Sequence, residues 1–170
     1  MFNLKKILGK SEKRKTAITL FSPVKGKVVP LSEVSDPTFA EEMLGIGVAI
    51  LPEKGRVVSP VNGTVSQVFD TGHAVTLVSD EGVEILIHIG IDTVQLKGKH
   101  YTKLAKEGTS VTVGDALIEF DKKAIIAAGY ETVTPVVICN SGDYQEFDWA
   151  SNKKVNEGDK LISFHLKEEK

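Results

Sequence analysis

Two histidines, His73 and His88, lie at the outer ends of a predicted β-hairpin and offer the clearest chemistry in the sequence. Residues 74–78 and 83–89 are rich in valine and isoleucine, and residues 79–82 between them form a turn signal. An imidazole is a good nucleophile near neutral pH, because its unperturbed pKa is about 6.5. One imidazole can therefore take a phosphoryl group while the other donates a hydrogen bond to its oxygens.

The register of this hairpin decides whether the two rings meet. With Asp80 and Glu81 as the loop, His73 pairs directly with His88, and opposed Cβ atoms lie about 4.5–5.5 Å apart. A three-residue loop with Gly82 as a bulge shifts the pairing by one and sends the histidines to opposite faces. We predict the first register, because it assembles one apolar face. That face consists of Ala74, Thr76 and Val78 against Ile87, Ile85 and Val83.

Each imidazole needs a partner that determines which nitrogen carries the proton. Thr71 is the candidate partner for His73, and a backbone carbonyl near Gly90 is the candidate for His88. Gly90 also leaves the backbone open to close approach beside His88. Paired histidines suit zinc as well, but structural zinc takes about four protein ligands and catalytic zinc about three. No third ligand at a useful spacing stands out in the sequence, so this interpretation requires no metal.

The elements that position these residues are mostly strands. Short runs of β-branched residues alternate with Gly, Pro, Asn and Asp, which is typical of an all-β protein. Two brief helices are predicted, one over residues 37–44 that ends at Gly45, and one over residues 122–128 with Asp121 as N-cap. We expect an all-β sandwich or barrel with a few short helices. The predicted strands include residues 17–21, 47–51, 64–69, 74–78, 83–89, 116–120 and 133–138.

The chain repeats itself twice. Residues 22–28, Ser-Pro-Val-Lys-Gly-Lys-Val, recur as residues 59–65, Ser-Pro-Val-Asn-Gly-Thr-Val. Residues 114–120, Gly-Asp-Ala-Leu-Ile-Glu-Phe, recur as residues 158–164, Gly-Asp-Lys-Leu-Ile-Ser-Phe. In each copy a glycine marks a turn and the apolar residues continue as a strand. Two duplicated units predict a sandwich with internal pseudo-symmetry.

The 170 residues are predicted to form one domain, residues 16–170, after a distinct N-terminal segment, residues 1–15. The net charge of −2 gives no bulk attraction to nucleic acid. Residues 2–10 interleave apolar side chains with lysines. That pattern is typical either of a short amphipathic helix on an anionic membrane surface or of a flexible, solvated terminus, and both interpretations stay open.

Nothing in the sequence predicts insertion into a membrane or secretion. No apolar stretch is long enough to cross a bilayer, and no secretory signal is visible. We therefore expect a cytoplasmic protein, with peripheral contact at the inner face of the membrane as the alternative that residues 2–10 leave open. Cys139 is the only cysteine and ends the apolar run of residues 136–139, which predicts a buried, inert thiol.

The sequence around both histidines resembles a known family. Residues 69–74, Phe-Asp-Thr-Gly-His-Ala, and residues 83–94 closely resemble the glucose-family IIA component of the bacterial phosphoenolpyruvate-dependent sugar phosphotransferase system. The resemblance extends from about residue 19 to the end and implies a flattened β-sandwich of duplicated hybrid motifs. Further matching segments are residues 60–65, 97–98, 114–115 and 134–137.

The resemblance implies a specific chemistry. It implies that His88 accepts phosphate on Nε2 from the phosphocarrier HPr and passes it to a cysteine of a IIB domain. His73 is implied to support the phosphate, and Thr71 to hydrogen-bond His73. Asp36 and Asp92 are implied to be an acidic pair that meets basic residues of the partners. The implied apolar rim for docking consists of Phe39, Met43, Leu44, Phe69 and Val94.

The resemblance also implies variation among members. Many relatives are fused to IIB and IIC domains, whereas this chain is expected to find its IIB domain in trans. Some stand-alone members regulate permeases, glycerol kinase or adenylate cyclase, sometimes with zinc that His73 and His88 would share across the interface. Otherwise no cofactor is implied. Pro37 and Gly72 depart from the commonest family choices, which affects loop shape and docking detail.

Three other classes of function are alternatives to this one. A zinc peptidase of the lysostaphin type needs a His-x-His element, which this sequence lacks. A swinging-arm carrier of the biotinyl or lipoyl type needs a lysine at an exposed hairpin tip, for which Lys122 is a weak candidate. A regulatory adaptor that binds partners in one phosphorylation state is compatible with the phosphoryl carrier, since phosphate adds about −1.5 to −2 charge at pH 7.

Overall fold

The computed structural model describes residues 16–169, so the expectation for residues 1–15 falls outside the described residues. Two short helices are present there, α1 (Pro37–Ala40) and α2 (Lys122–Ala127), with 3-10 turns at Leu31–Glu33, Thr93–Leu96 and Ser141–Asp143. The strands are β1 (Ile18–Phe21), β2 (Gly26–Pro30), β3 (Ile46–Pro52), β4 (Arg56–Val58), β5 (Gly63–Val68), β6 (Ala74–Ser79), β7 (Glu84–His88), β8 (Tyr101–Lys103), β9 (Ser110–Val111), β10 (Ala116–Phe120), β11 (Thr134–Ile138), β12 (Tyr144–Trp149), β13 (Lys154–Val155) and β14 (Lys160–Leu166).

The strands form one large and two small antiparallel sheets. The large sheet has the order β13-β2-β3-β11-β7-β6-β5-β9, and the small sheets have the orders β1-β14-β12 and β4-β10-β8. One hydrophobic core joins them, because the inner face of the large sheet packs against both small sheets through residues such as Ile85, Ile118 and Phe164. The predicted all-β sandwich is therefore confirmed. No helix in residues 16–169 is both long and apolar enough to span a bilayer.

A second, smaller apolar cluster covers the outer face of the large sheet. Leu31, Val34 and Phe39 come from the segment that contains α1, and they pack onto sheet residues such as Ala74 and Leu86. Sandwiches of this kind bury one face of each sheet, and the outer face is free to carry polar residues. The outer face is where the side chain of His88 emerges.

The first sequence repeat forms the same local structure twice. The Ser22 hydroxyl donates to the Val24 carbonyl at 2.8 Å, and the Ser59 hydroxyl donates to the Val61 carbonyl at 2.7 Å. Both serines are fully buried, so these bonds satisfy hydroxyl groups that water cannot reach. Each serine lies just before a strand, β2 in one copy and β5 in the other.

The second repeat forms matching turns that connect to the first. The carboxylates of Asp115 and Asp159 each accept a bond from the amide three residues earlier, at 2.9 and 2.7 Å. The amides of Ser59 and Ser22 donate to the carbonyls of Asp115 and Asp159, at 2.8 and 2.7 Å. Each copy of one repeat therefore binds one copy of the other, which confirms the predicted pseudo-symmetry.

The first helix is shorter than predicted. Asp36 caps its N-terminus, since its Oδ1 accepts a bond from the Thr38 amide at 2.9 Å, and Pro37 occupies the first turn. The helix ends at Ala40 rather than at residue 44, because Glu42 adopts a left-handed conformation with φ of 55° that cannot continue a helix.

The second helix agrees with its prediction to within one residue. It covers Lys122–Ala127, and the Asp121 carboxylate accepts a bond from the Ala124 amide at 3.0 Å. Asp121 is therefore the N-cap that the sequence indicated.

The hairpin register was predicted wrongly. In the structure Ala74 pairs with His88 and Val75 with Ile87, one residue away from the predicted pairing. The loop has three residues and Gly82 has a φ of 91°. This is the alternative register, in which Gly82 forms a bulge. The Ser79 hydroxyl stabilises this loop by accepting a hydrogen bond from the Val83 amide at 3.0 Å.

Burial of large apolar side chains explains why the hairpin adopts the bulged register. It sends Val75, Leu77, Ile85 and Ile87 together into the main core, and all four side chains are fully buried. Each such side chain contributes about 1.5–3 kcal/mol relative to an exposed one. The predicted register was based on an apolar face that contained the smaller Ala74. It would have divided these four large side chains between the two faces of the hairpin.

We predict that Gly63→Ala destabilises the fold. Gly63 opens β5, and a Cβ at this position would lie 2.1 Å from the Val78 carbonyl oxygen on the neighbouring strand. The two strands must separate to admit it, which we expect to cost about 1–3 kcal/mol. Urea unfolding measures the change. The matched control is Gly142→Ala, which introduces a methyl group with no atom within 4 Å. Equal midpoints for the two variants would contradict the prediction.

Candidate functional site

The two histidine rings meet on the outer face of the large sheet. Their centroids are 5.0 Å apart and the planes make an angle of 79°, an edge-to-face contact. His88 is the last residue of β7, whereas His73 lies one residue before β6 begins. The predicted contact is therefore confirmed, although the register that led to it was wrong.

The contact survives the shifted register because His73 lies outside the regular strand. The alternation of side chains between the two faces of a sheet applies within β6. His73 belongs to the turn over residues 70–73 that precedes this strand, so the alternation does not determine where its ring lies. The backbone carbonyl of His73 nevertheless accepts a bond from the Ile89 amide at 2.6 Å, so the two histidine segments remain attached to each other. The expectation that a bulge would separate the rings was therefore also wrong.

His88 is held in one tautomer by its own strand end. Its Nδ1 lies 2.7 Å from the Gly90 carbonyl oxygen. Since a carbonyl only accepts, Nδ1 must carry the proton, and Nε2 is left with a free lone pair. The backbone carbonyl that the sequence suggested near Gly90 is the one that makes this bond.

Only glycine fits at position 90. Its φ is 86°, and an added Cβ would lie 2.5 Å from the Thr93 Cγ2 and 2.7 Å from the Glu131 carbonyl oxygen. A side chain here would force the backbone to move and would take the carbonyl away from His88.

His73 is oriented by Thr71, as the sequence indicated. The Thr71 Oγ1 makes a hydrogen bond with Nδ1 of His73. The His73 side chain is almost completely buried, with 6% of its surface exposed, and the Phe69 ring packs against it with centroids 5.5 Å apart. A buried ring with one partnered nitrogen has little rotational freedom, so its other edge points in a defined direction.

Both imidazoles are neutral at pH 7. Burial, and then the neighbouring His88, lower the pKa of His73 to about 4. Burial also lowers the pKa of His88, while the Gly90 carbonyl, Asp36 and Asp92 act in the opposite direction. The lowered pKa of His88 favours the neutral ring, in which Nε2 is unprotonated and available as a nucleophile.

Phe39 lies under the site rather than on its surface. Its ring packs against His88 with centroids 5.0 Å apart, and the side chain is only 4% exposed. The implied role of Phe39 in an exposed rim therefore needs correction, because α1 turns this ring into the smaller apolar cluster. It supports the His88 ring and contributes to its desolvation.

The other implied rim residues are more accessible. Met43 is 68% exposed, Val94 is 52% exposed and Leu44 is also exposed, whereas Phe69 is half-buried beside His73. Exposed apolar side chains in the segments that follow α1 and Asp92 are consistent with a docking patch.

The two carboxylates named from the sequence both act on the charge of His88. Asp36 is half-buried at the N-cap of α1, and Asp92 is exposed at the start of the 3-10 turn Thr93–Leu96. Both are close enough to stabilise the charged form of the His88 ring and so raise its pKa.

The structure gives no independent indication of a metal centre. Among residues 16–169 no group of three or more His, Cys, Asp and Glu side chains is arranged to hold a metal. His73 and His88 alone supply two ligands, and structural zinc takes about four. Zinc shared with a partner therefore stays a prediction.

Cys139 differs from its prediction. Its side chain is exposed, because the residue follows the end of β11 instead of continuing the buried strand. Partial burial, followed by the Glu84 carboxylate, raises the pKa of the thiol, which disfavours the reactive thiolate.

Sequence analysis missed two residues beneath the site. The hydroxyl groups of Tyr101 and Thr93 both donate to the Ile89 carbonyl, at 2.8 and 2.7 Å. Thr93 lies inside the motif that carries the family resemblance, but no periodicity or spacing marks Tyr101, which reaches the site from a different sheet.

Comparison with known proteins identifies the family. The family described as phosphoenolpyruvate-dependent sugar phosphotransferase system, EIIA 1, matches residues 18–144. The glucose-specific EIIA component of Oceanobacillus iheyensis is 43% identical over 146 residues, which are 86% of this chain and 87% of that protein.

Longer relatives contain the same unit. The beta-glucoside-specific EIIBCA components of Dickeya chrysanthemi and Bacillus subtilis are 49% and 51% identical, over 81% and 74% of this chain. The chain spans 22% and 20% of their lengths.

The fold has a solved counterpart as well. The glucose permease IIA from Mycoplasma capricolum matches with a TM-score of 0.82 and 32% identity, over 87% of this chain and 96% of that one. From the family match, the relatives and this shared fold, we conclude that the chain belongs to the EIIA 1 family of the phosphoenolpyruvate-dependent sugar phosphotransferase system and is a component of the glucose IIA type.

Proposed function

We propose that this phosphotransferase component carries a phosphoryl group on Nε2 of His88, received from HPr and donated to a cysteine of the IIB domain of a sugar permease. The observation that supports the proposal most directly is the hydrogen bond from Nδ1 of His88 to the Gly90 carbonyl. It leaves Nε2 as the free nucleophile beside His73, whose ring centroid is 5.0 Å from that of His88.

Phosphate acceptance is a displacement at phosphorus. The Nε2 lone pair of His88 forms a bond to the phosphorus, and the bond from phosphorus to the donor atom breaks with its electron pair staying on the donor. Such transfers depend mainly on positioning and on stabilisation of the charge on the phosphoryl oxygens. The fixed tautomer of His88 supplies the positioning.

His73 stabilises the charge. With the Thr71 hydroxyl donating to Nδ1, the proton of neutral His73 resides on Nε2, which donates to a phosphoryl oxygen. The ring is preorganised by burial, so little reorganisation is needed when the phosphoryl group arrives. Thr71 therefore acts through His73.

Donation reverses these events. A thiolate of the IIB domain attacks the phosphorus, the S–P bond forms, and the N–P bond breaks with its electron pair returning to Nε2 of His88. Asp36 and Asp92 contribute negative charge beside the phosphoryl group, which disfavours its retention and promotes transfer.

The partners dock on the face that surrounds His88. Exposed Met43, Leu44 and Val94 supply an apolar contact area, while Asp36 and Asp92 meet basic residues of HPr and of the IIB domain. Relatives named EIIBCA components, which contain the matching segment, support a IIB partner. We place the carrier in the cytoplasm, and regulatory binding of further proteins on the same face, with or without zinc between them, is part of the proposal.

The swinging-arm alternative receives no support. Its candidate lysine, Lys122, is the first residue of α2 and not the tip of a hairpin. A covalently attached arm would need a lysine that projects freely from such a tip.

We predict that His88→Ala abolishes phosphate uptake, because the variant lacks the accepting nitrogen. The protein is incubated with phosphoenolpyruvate, Enzyme I and HPr, and the phosphorylated residue is mapped under alkaline conditions, which preserve phosphohistidine. His100→Ala, at an exposed position, is the control and should take up one phosphate per chain. Undiminished uptake by His88→Ala would contradict the proposal.

We predict that His73→Gln separates acceptance from donation. His88 keeps its Gly90 partner in this variant, so phosphate uptake from HPr continues. Transfer to a IIB domain should slow by on the order of 10²-fold, because one preorganised donor to the phosphoryl group is altered. Rapid-quench measurement of each half-reaction tests this, and an equal effect on both halves would argue against a separate role for His73.

We predict a loss of stability in acid that depends on His73. The unfolded chain protonates this histidine near pH 6.5, whereas in the folded chain its pKa is about 4, so the unfolded state binds more protons between these values. Stability therefore falls as the pH drops from about 6.5 towards 4, by about 2 kcal/mol between pH 7 and pH 5. Urea unfolding at the two pH values checks this. His73→Gln lacks the contribution, and an identical acid loss in that variant would show the assignment to be wrong.

A further inference from the structure

The carbonyl of Ile89 lies at the centre of a small hydrogen-bond network beneath the site. It accepts bonds from the Tyr101 hydroxyl at 2.8 Å and from the Thr93 hydroxyl at 2.7 Å. A carbonyl oxygen has two lone pairs, and both are used here. The orientation of this peptide group is therefore determined by side chains as well as by the sheet.

The same peptide group adjoins the peptide whose carbonyl orients His88. The Gly90 amide, the other end of the Ile89–Gly90 peptide, donates to the Val133 carbonyl at 3.0 Å. Gly90 has a φ of 86° and lacks a side chain to restrict its torsions, so its own carbonyl depends on its flanking peptides for direction. Anything that fixes the Ile89 carbonyl therefore also restricts the bond to Nδ1 of His88.

Tyr101 also contacts the other histidine segment. A Cβ built on Gly72 would lie 3.0 Å from the Tyr101 Cβ, so the backbone just before His73 passes close to this residue. Tyr101 belongs to β8, which pairs with β10 in a small sheet and not with either histidine strand. One side chain from the second layer thus touches the segment before His73 and the segment after His88.

We propose that Tyr101 is a positioning residue for phosphoryl transfer, which acts through the Ile89 carbonyl to keep the Gly90 carbonyl directed at Nδ1 of His88. Its importance for transfer rests on the proposed function of His88, whereas its effect on the His88 tautomer does not. The Tyr101 hydroxyl touches no reacting atom. The Thr93 hydroxyl shares the same acceptor from within the histidine segment, so the contribution of Tyr101 is to connect that segment to the other sheet.

Tyr101→Phe tests the proposal by removing the hydroxyl group and nothing else. The matched control is Tyr144→Phe, which removes a hydroxyl near Asn140 and Asp143, in a different part of the fold. Both proteins are labelled with ¹⁵N, and the imidazole nitrogen shifts of His88 report which nitrogen carries the proton. Phosphate uptake from phospho-HPr is timed in parallel, and thermal unfolding is recorded.

We expect Tyr101→Phe to increase the fraction of the His88 ring with its proton on Nε2. The limiting rate of phosphate uptake should fall about 3- to 10-fold, the range expected for the loss of one neutral hydrogen bond, with little change in the concentration of phospho-HPr that gives half the rate. Tyr144→Phe should leave the tautomer and the rate unchanged.

One result would contradict the positioning role of Tyr101. An unchanged His88 tautomer and uptake rate in Tyr101→Phe, with a lowered unfolding temperature, would overturn the positioning role and leave a purely structural one. If the wild-type chain took up no phosphate, the proposed function would fail. The tautomer measurement would still decide whether Tyr101 orients His88, because it needs no phosphate.

Discussion

The hydrogen bond between Nδ1 of His88 and the Gly90 carbonyl is the interaction on which the site depends. An unconstrained neutral imidazole exchanges its proton between two nitrogens and presents either one to its surroundings. A backbone carbonyl accepts but never donates, so it selects a single tautomer and leaves the outward nitrogen free. That selection requires the backbone to turn sharply after β7, which only glycine allows at position 90.

Burial and charge oppose each other around the two rings, and burial prevails. Desolvation lowers the pKa of both histidines, whereas Asp36 and Asp92 favour a charged His88. The consequence is a pair of neutral imidazoles next to negative charge and exposed apolar side chains. For the proposed function, such a site offers a phosphoryl group a neutral hydrogen-bond donor without a positive charge that would retain it.

The duplicated architecture supplies a rigid support for this arrangement. Buried serine hydroxyls and paired aspartate turns recur in both halves and connect the large sheet to the small ones. The histidines lie away from these junctions, on the outer face of the large sheet. Rigid elements position catalytic groups more accurately than loops do, so placing His88 at the end of a central strand restricts its ring without enclosing it.

Much of this protein was decided by local sequence. The seven predicted strands, the cap at Asp121 and the repeats follow from β-propensity, turn residues and motif spacing, which act over a few residues. The contact of His73 with His88 was predicted too, but the structure makes it through a different register. Tertiary structure alone decided the hairpin register, the burial of Phe39, the exposure of Cys139 and the reach of Tyr101 to the Ile89 carbonyl. These depend on which side chains share the core and on contacts between distant segments, and periodicity along one strand carries no information about what packs against it.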